Sequence, residues 1–140
     1  MWSNYNLLSI LLVCTLFIAC SSSNTTVDID ENGNERFSSF YDQFYGDSTF
    51  QISRIEFPLI RNRRNLDSDS PFWDIDNWQY LQRIDDEDDR IERFLYDLDG
   101  VIDENIIISK KFRIKNTYSL INNQWYLTGY SGMIDLGSSR

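Results

Sequence analysis

The spacing of apolar residues changes along the chain, and each spacing predicts a different element. From Leu7 to Ala19 nearly every residue is apolar or small, and the run ends at Cys20 in a serine-rich stretch. Such a run is shorter than the ~20 residues that cross a bilayer as a helix, but it fits the core of an export signal. It has no single apolar stripe and no helix-ending glycine, which argues against a buried helix of the folded domain.

The next periodic segment predicts an amphipathic helix between Arg36 and Asp47, with Gly46 marking its end. Its apolar residues are all aromatic and fall on one stripe: Phe37, Phe40, Tyr41, Phe44 and Tyr45. A ligand platform is one use of such a stripe, and a core face packed on a sheet is the commoner one. We therefore expect this helix to cover a sheet.

A half-buried strand is predicted next, because Ile55, Phe57 and Leu59 alternate with polar residues. Pro58 cannot donate to a strand ladder, so this strand lies at an edge or near its own end. The loop of residues 61–71 then carries three arginines and two aspartates. Phosphate binding by the arginines is one interpretation, and neutralisation of the loop's own acidic half is the commoner one.

Residues 73–84 fit a helix or a strand, and we predict a turn followed by a strand that begins at Trp78. The acidic run of residues 85–89 then forms a hairpin tip, since five adjacent carboxylates repel one another and favour solvent over a cation site. Residues 91–98 are aromatic and aliphatic in the manner of a strand.

The strongest local signal is a hairpin around Asn122 and Asn123, because asparagine tolerates the positive φ of a two-residue loop. This loop segregates apolar from mixed residues across the two strands. The predicted partners are Leu120 with Trp125, Tyr118 with Leu127, Ser119 with Tyr126, and Thr117 with Thr128. Residues 106–115 supply one more strand, so the sheet is antiparallel and mostly sequential.

Composition and charge exclude several classes of function. The formal net charge is −9 and no charged residue precedes Cys20, which predicts no nucleic-acid partner, because that binding depends on Lys and Arg. The chain contains no His, and its two cysteines, Cys14 and Cys20, lie within and directly after the predicted export signal. These absences exclude Ser-His and Cys-His nucleophile pairs and His- or Cys-ligated zinc or haem. We predict no cofactor.

The residues before Cys20, Phe17-Ile18-Ala19, resemble the bacterial lipoprotein cleavage box, in which a small residue precedes a cysteine destined for lipid. The resemblance implies a signal peptide over residues 1–19, a lipid on Cys20 and attachment to the cell envelope. Ser21 agrees with sorting to the outer membrane. A buried N-terminal helix and an uncleaved membrane anchor are the alternatives.

The polar residues after Cys20 predict a flexible acidic tether over residues 20–35, a single globular domain over residues 36–135 and a tail over residues 136–140. The tether matches the first half of a calcium loop at Asp28, Asp30, Asn32 and Gly33. The closing bidentate Glu of such a loop would fall on Ser39, so we predict no metal site.

The aromatic helix, the strand ending in FPL and the hairpin YSLINNQWYLTGY resemble the nuclear transport factor 2-like fold. The run FYDQFYGDSTFQISRIEFPL, with the lipoprotein signal, resembles a family of uncharacterised bacterial lipoproteins built around a domain of unknown function. The resemblance covers roughly residues 36–132. It implies an α+β fold in which an N-terminal aromatic helix packs on a curved antiparallel sheet to form a cone.

Two function classes follow. The first is a non-catalytic envelope module that binds a small molecule, glycan or envelope protein through the open mouth of the sheet. The second is an acid/base enzyme similar to the isomerases and dehydratases of the fold, with a desolvated carboxylate and a tyrosine donor. For that enzyme the candidate residues are Asp97, Tyr41 and Tyr118. A carboxylate in an apolar pocket with a raised pKa favours catalysis, and a filled interior favours binding.

Overall fold

A computed structural model describes residues 27–61, 70–84 and 87–137, so the predicted lipid site at Cys20 and most of the arginine-rich loop lie outside the described residues. The helices are α1 (Phe37–Gly46) and α2 (Ser48–Ser53). The strands are β1 (Leu59–Ile60), β2 (Phe72–Trp73), β3 (Ile91–Leu98), β4 (Val101–Ile108), β5 (Phe112–Ile121) and β6 (Gln124–Asp135). No helix of these ranges is long and apolar enough to cross a membrane.

The α1 helix confirms the predicted aromatic stripe, and its buried residues are Phe40, Tyr41 and Phe44. The stripe packs on Tyr118, Trp125 and Leu127 of β5 and β6, in one apolar core with Ile102 of β4. Asp47 ends α1 and starts α2, since its carboxylate accepts hydrogen bonds from the backbone N–H groups of Thr49 and Phe50 at 2.8 and 3.1 Å.

Four strands form an antiparallel sheet in the order β3-β4-β5-β6, which confirms the predicted sequential topology. Asn122 and Asn123 have φ of 50° and 66°, as a tight hairpin loop between β5 and β6 requires. The predicted register is correct from Tyr118 to Leu127. It is wrong at Thr117, which pairs with Gly129 because a bulge separates Thr117 from Tyr118.

Two predicted strands are wrong. The predicted strand of residues 106–115 is interrupted by a turn, since Ser109 and Lys110 have positive φ, and its halves belong to β4 and β5. No strand forms from Trp78 to residue 84, because the segment is held by a side chain instead of a ladder. The amide of Gln51 accepts from the Leu81 N–H at 2.8 Å and donates to the Leu81 carbonyl at 3.0 Å.

The strand predicted around Ile55 is shorter than expected. Ile55 makes one isolated parallel bridge to Leu127, and the two-residue strand β1 follows Pro58. The neighbouring residue Arg54 explains how this part of the chain is held against β6. Its carbonyl accepts from the Leu127 N–H at 2.8 Å, and its buried guanidinium donates to the Trp125 carbonyl at 3.1 Å.

Residues 27–35 belong to the predicted tether, and the structure packs them against the sheet. Glu35 is buried, and both of its carboxylate oxygens accept hydrogen bonds from Arg54 at 3.0 Å. The backbone N–H of Trp125 donates to the same carboxylate at 2.8 Å, and the Trp125 indole N–H donates to the Glu35 carbonyl at 2.8 Å. The packed chain therefore begins ahead of residue 36.

Candidate functional site

A fully buried carboxylate lies at the centre of the inner face of the sheet. In β4 the alternation of a strand turns Ile102, Glu104 and Ile106 to the side covered by α1, and all three are buried. Burial of an isolated carboxylate carries a large free-energy cost. The groups that hydrogen-bond to Glu104 therefore determine its chemical role.

Four donors surround the Glu104 carboxylate. The Tyr41 hydroxyl donates to Oε1 at 2.5 Å, while the Asn116 amide and the Tyr118 hydroxyl donate to Oε2 at 2.7 and 3.1 Å. Arg93 forms an ion pair with Oε1 and donates from its other terminal nitrogen to the Ile84 carbonyl at 2.7 Å. The carboxylate has a counter-ion and three neutral donors.

The tyrosines of this cluster stay protonated at neutral pH. Burial raises the pKa of Tyr41 and of Tyr118 far above the ordinary value, and the neighbouring Tyr45 and the Glu104 charge raise both further. Burial also raises the pKa of Tyr45, whose hydroxyl lies 3.0 Å from that of Tyr118. Three neutral hydroxyls therefore face one another and the carboxylate, which suits them to donate hydrogen bonds.

The structure brings together two of the three residues predicted for catalysis. Tyr41 and Tyr118 meet at Glu104, whereas Asp97 is exposed near the end of β3 and is not among the hydrogen-bond partners of Glu104. The sequence analysis missed Glu104 because the strand was predicted to begin at Ile106. The available signal was a Glu at an inward position of the alternation Ile102-Glu104-Ile106.

The calcium-like residues of the tether serve local structure. Asp28 accepts from the guanidinium of Arg36 at 3.2 Å and from the hydroxyl of Ser39 at 2.9 Å. Asp30 accepts from the backbone N–H groups of Asn32 and Asn34 at 2.8 and 2.9 Å. The hydrogen bond from Asn34 is the main cause that lowers the pKa of Asp30. These contacts stabilise the turn that leads into α1.

The acidic tip before β3 falls partly outside the described residues, since residues 85 and 86 are not among them. The described part forms a turn in which Asp88 pairs with Arg90, at 2.5 Å between Oδ2 and Nη2. Hydrogen bonds from the Arg90 side chain and backbone lower the pKa of Asp88 to about 2.

Two adjoining recesses separate α1 from the inner side of β3, and together we call them the α1–β3 groove. Their volumes are about 390 and 360 Å³, and Phe37 and Ser38 line both. Leu95 faces the groove and is 55% exposed. The charged residues of the lining have both signs: Asp30, Glu35, Arg36, Asp42, Arg83, Arg93 and Asp97. The groove thus combines an apolar wall with polar contacts, the usual mixture of a binding site.

The groove and the buried cluster meet at two residues. Tyr41 and Arg93 contact Glu104 and also line the groove, whereas Glu104 itself is fully buried. A molecule in the groove therefore touches the phenol and the guanidinium, with the carboxylate behind them.

Comparison with known proteins gives one solved structure of similar fold. An NMR structure of a protein from Bacteroides uniformis ATCC 8492 matches with a TM-score of 0.53 and 17% sequence identity, over 70% of this chain and 76% of that one. Neither a family model nor a curated protein matches the chain. The likeness shows the fold alone, an α+β domain with short aromatic helices on a four-stranded antiparallel sheet.

Proposed function

We propose that this chain is a lipoprotein of the bacterial cell envelope, anchored to the outer membrane by acyl chains on Cys20, whose domain binds a ligand or partner protein without catalysis. The lipoprotein-like box before Cys20 supports the anchor. A net charge of −9 gives no attraction to anionic headgroups, so attachment depends on lipid. Each buried methylene of an acyl chain contributes about 0.8 kcal/mol.

The aromatic helix on an antiparallel sheet supports a finer proposal, that the domain is a nuclear transport factor 2-like cone of the uncharacterised lipoprotein family. In such a cone we expect the ligand to bind through the open mouth of the sheet. The α1–β3 groove supports this proposal, because it is a concave surface between α1 and the sheet with Phe37 and Leu95 as its apolar contacts.

The single observation that carries the non-catalytic proposal is the saturation of Glu104. A general base needs a lone pair within reach of the proton that it removes. The two oxygens of Glu104 already accept from Tyr41, Tyr118 and Asn116, and Arg93 compensates the charge. We infer that the carboxylate orients Tyr41 and Arg93 at the floor of the groove. The groove itself binds the ligand or partner protein.

The lipid anchor is tested by replacing Cys20 with Ser in cells that express the full chain. We expect loss of incorporated radiolabelled palmitate and a shift of the protein from the membrane to the soluble fraction. Unchanged acyl label and fractionation in the Cys20→Ser variant would show that the anchor is absent or lies elsewhere.

The groove is tested by placing a photo-crosslinking amino acid at position 95 or at position 98 of the full chain in intact cells. Neighbouring odd and even residues of β3 point to opposite sides, so Leu95 faces the groove and Leu98 does not. We expect a discrete crosslinked product from position 95 alone. No product from either position, or the same product from both, would refute a binding groove.

A second candidate function is a small acid/base enzyme of isomerase or dehydratase type, favoured by the position of Tyr41. The Tyr41 hydroxyl contacts both the buried carboxylate and the groove, so it could pass a proton between them. This alternative predicts turnover of the molecule captured at position 95. Tyr41→Phe would then abolish turnover while capture persists, whereas a binding module returns the molecule unchanged.

A further inference from the structure

A second concave surface lies away from the α1–β3 groove and shares none of its lining residues. It is an aromatic recess of about 260 Å³ between β2, β6 and the segment held by Gln51. The recess is lined by Trp73, Trp78, Gln79, Tyr80, Leu81, Gln82 and Tyr130. The Trp78 ring packs edge-on against Trp73 and Tyr130, with centroids 6.0 and 5.3 Å apart.

Two aromatic side chains of the recess, Trp78 and Tyr80, are held by hydrogen bonds. The Tyr80 hydroxyl donates to the Tyr45 carbonyl while its ring remains 39% exposed. The Trp78 indole N–H donates to the Gln51 amide oxygen at 3.3 Å. Because these rings are already ordered, a bound molecule does not have to immobilise them, and this favours affinity.

The Arg61 guanidinium stacks on Trp73, one of the rings that line the recess. The Arg61 guanidinium carbon lies 3.6 Å from the centroid of the Trp73 ring, and Arg61 Nε donates to the Phe72 carbonyl at 3.1 Å. Within the described ranges, Arg61 makes no ion pair with a carboxylate, unlike Arg36, Arg54 and Arg83. Stacking and the Nε bond orient the guanidinium and leave its terminal nitrogens for another acceptor.

Arg61 also lines an adjoining recess of about 280 Å³, which meets the aromatic recess at Tyr130. Lys115 and Thr117 lie in that second recess, where Lys115 pairs with Asp103 at 2.7 Å. A molecule that spans both recesses therefore meets aromatic rings and amides on one side of Tyr130. On the other side it meets two cations, of which one has a carboxylate partner.

We propose that the two recesses form one binding site for a saccharide that carries an acidic group, either a carboxylate or a sulfate. A sugar ring has an apolar C–H face that packs on aromatic rings, and hydroxyls that suit the amides of Gln79 and Gln82. The acidic group pairs with Arg61 in the two-pronged geometry that guanidinium favours. This site goes beyond the proposed function, whose ligand occupies the α1–β3 groove.

The net charge of the whole molecule bears on whether the saccharide is acidic or neutral. A chain with net charge −9 repels acidic ligands at long range, so it binds them only where a cation is held in a fixed position. Arg61 meets that condition. A neutral saccharide would gain the ring contacts and nothing from Arg61.

The test measures binding of the full chain carrying Cys20→Ser to a panel of uronate-containing and sulfated oligosaccharides and their neutral counterparts. Tryptophan fluorescence and NMR report the site, since Trp73 and Trp78 lie in it. We expect acidic members to bind at least about tenfold more tightly than the neutral ones, the value of one charge-assisted pair. Arg61→Gln should remove that preference.

Arg90→Gln is the matched control, because Arg90 is an exposed arginine paired with Asp88 and lines neither the two recesses nor the α1–β3 groove. It should leave binding of the acidic members unchanged, whereas Tyr80→Ala should weaken acidic and neutral members alike. The proposal is overturned if no member of the panel perturbs Trp73 or Trp78, if acidic and neutral members bind equally, or if Arg90→Gln acts as Arg61→Gln does. Crosslinking from position 95 tests the groove separately, so each site can fail without the other.

Discussion

At the scale of single residues, Glu104 is held by four side-chain partners. It is fully buried and depends on Arg93 for compensation of its charge. A buried ion pair contributes little net stability compared with an apolar pair, but removing one partner leaves the other charge unpaired. The cluster therefore specifies how β3, β4, β5 and α1 meet.

Glu104→Ala should lower the free energy of unfolding by about 3–5 kcal/mol, because it removes the ion-pair partner of the Arg93 guanidinium and leaves three donors without their acceptor. Urea denaturation followed by circular dichroism measures the loss. Asp97→Ala is the control: Asp97 is exposed on the neighbouring strand, and its replacement should change stability by less than about 0.5 kcal/mol. Equal midpoints for the two variants would contradict the role given to Glu104.

The buried tyrosines of the cluster predict that the folded state loses stability at alkaline pH. The pKa values of Tyr41, Tyr45 and Tyr118 are raised in the folded state, so their stabilising effect is complete below the unfolded-state pKa of about 10. Above that pH the unfolded chain releases protons that the folded chain retains. Each tyrosine then removes about 1.4 kcal/mol of stability per pH unit.

This alkaline transition is measured by phenolate absorbance and near-UV circular dichroism in a single titration. We expect part of the phenolate signal to rise together with the loss of tertiary structure. Tyr45→Phe should make stability fall less steeply with pH. Complete ionisation of the tyrosines with the near-UV spectrum intact would contradict burial of these hydroxyls.

At the scale of elements, the β5–β6 hairpin depends on two residues with left-handed backbone. Asn122→Val should destabilise the protein by about 1–2 kcal/mol, because a β-branched residue is strained at a φ of 50°. Asn123→Gly keeps the required conformation and serves as the control, with a change below about 1 kcal/mol. Thermal unfolding measures both. Equal effects of the two variants would mean that backbone strain does not govern this turn.

Gln51 shows how a helix organises a segment that has no regular structure. Its buried amide joins α2 to Leu81 by two hydrogen bonds and accepts a third from Trp78. The alternation of apolar residues in residues 78–84 predicted a strand, yet the backbone groups of Leu81 are satisfied by a side chain 30 residues away. A periodicity argument does not detect such a partner, because it considers only neighbours in sequence.

At the scale of the whole molecule, the net negative charge and the exposed apolar side chains have opposite effects on self-association. The edge strand β3 exposes Phe94, Leu95, Tyr96 and Leu98, with Leu98 78% exposed. An exposed apolar edge favours association, and net charge opposes it. At neutral pH the charge of −9 opposes association of the copies.

Lowering the pH toward the isoelectric point of about 4.3 should therefore cause the Cys20→Ser chain to self-associate, which light scattering detects. Leu98→Lys should reduce the association. Ile75→Lys is the matched control, since Ile75 is 61% exposed but lies in the turn after β2. Equal reduction by both variants would indicate that charge alone controls association and that β3 has no special part in it.

The sequence by itself determined the elements whose cause is local. The aromatic stripe of α1 follows from helical spacing, and the register from Tyr118 to Leu127 follows from a two-residue loop of asparagines. The absence of His and the position of the cysteines likewise restrict the available chemistry without any coordinates. The helix and the hairpin depend only on residues a few positions apart in the chain. The restriction on chemistry follows from counting residue types.

Only the tertiary structure decided which polar residues meet. Tyr41 lies 63 residues from Glu104 in the chain, and Glu35 lies 90 residues from Trp125. Contacts at such separations depend on how α1 and the sheet pack, and no local pattern encodes that packing. The same packing placed Arg61 on Trp73 and formed the α1–β3 groove, because a concave surface exists only where separate elements come together.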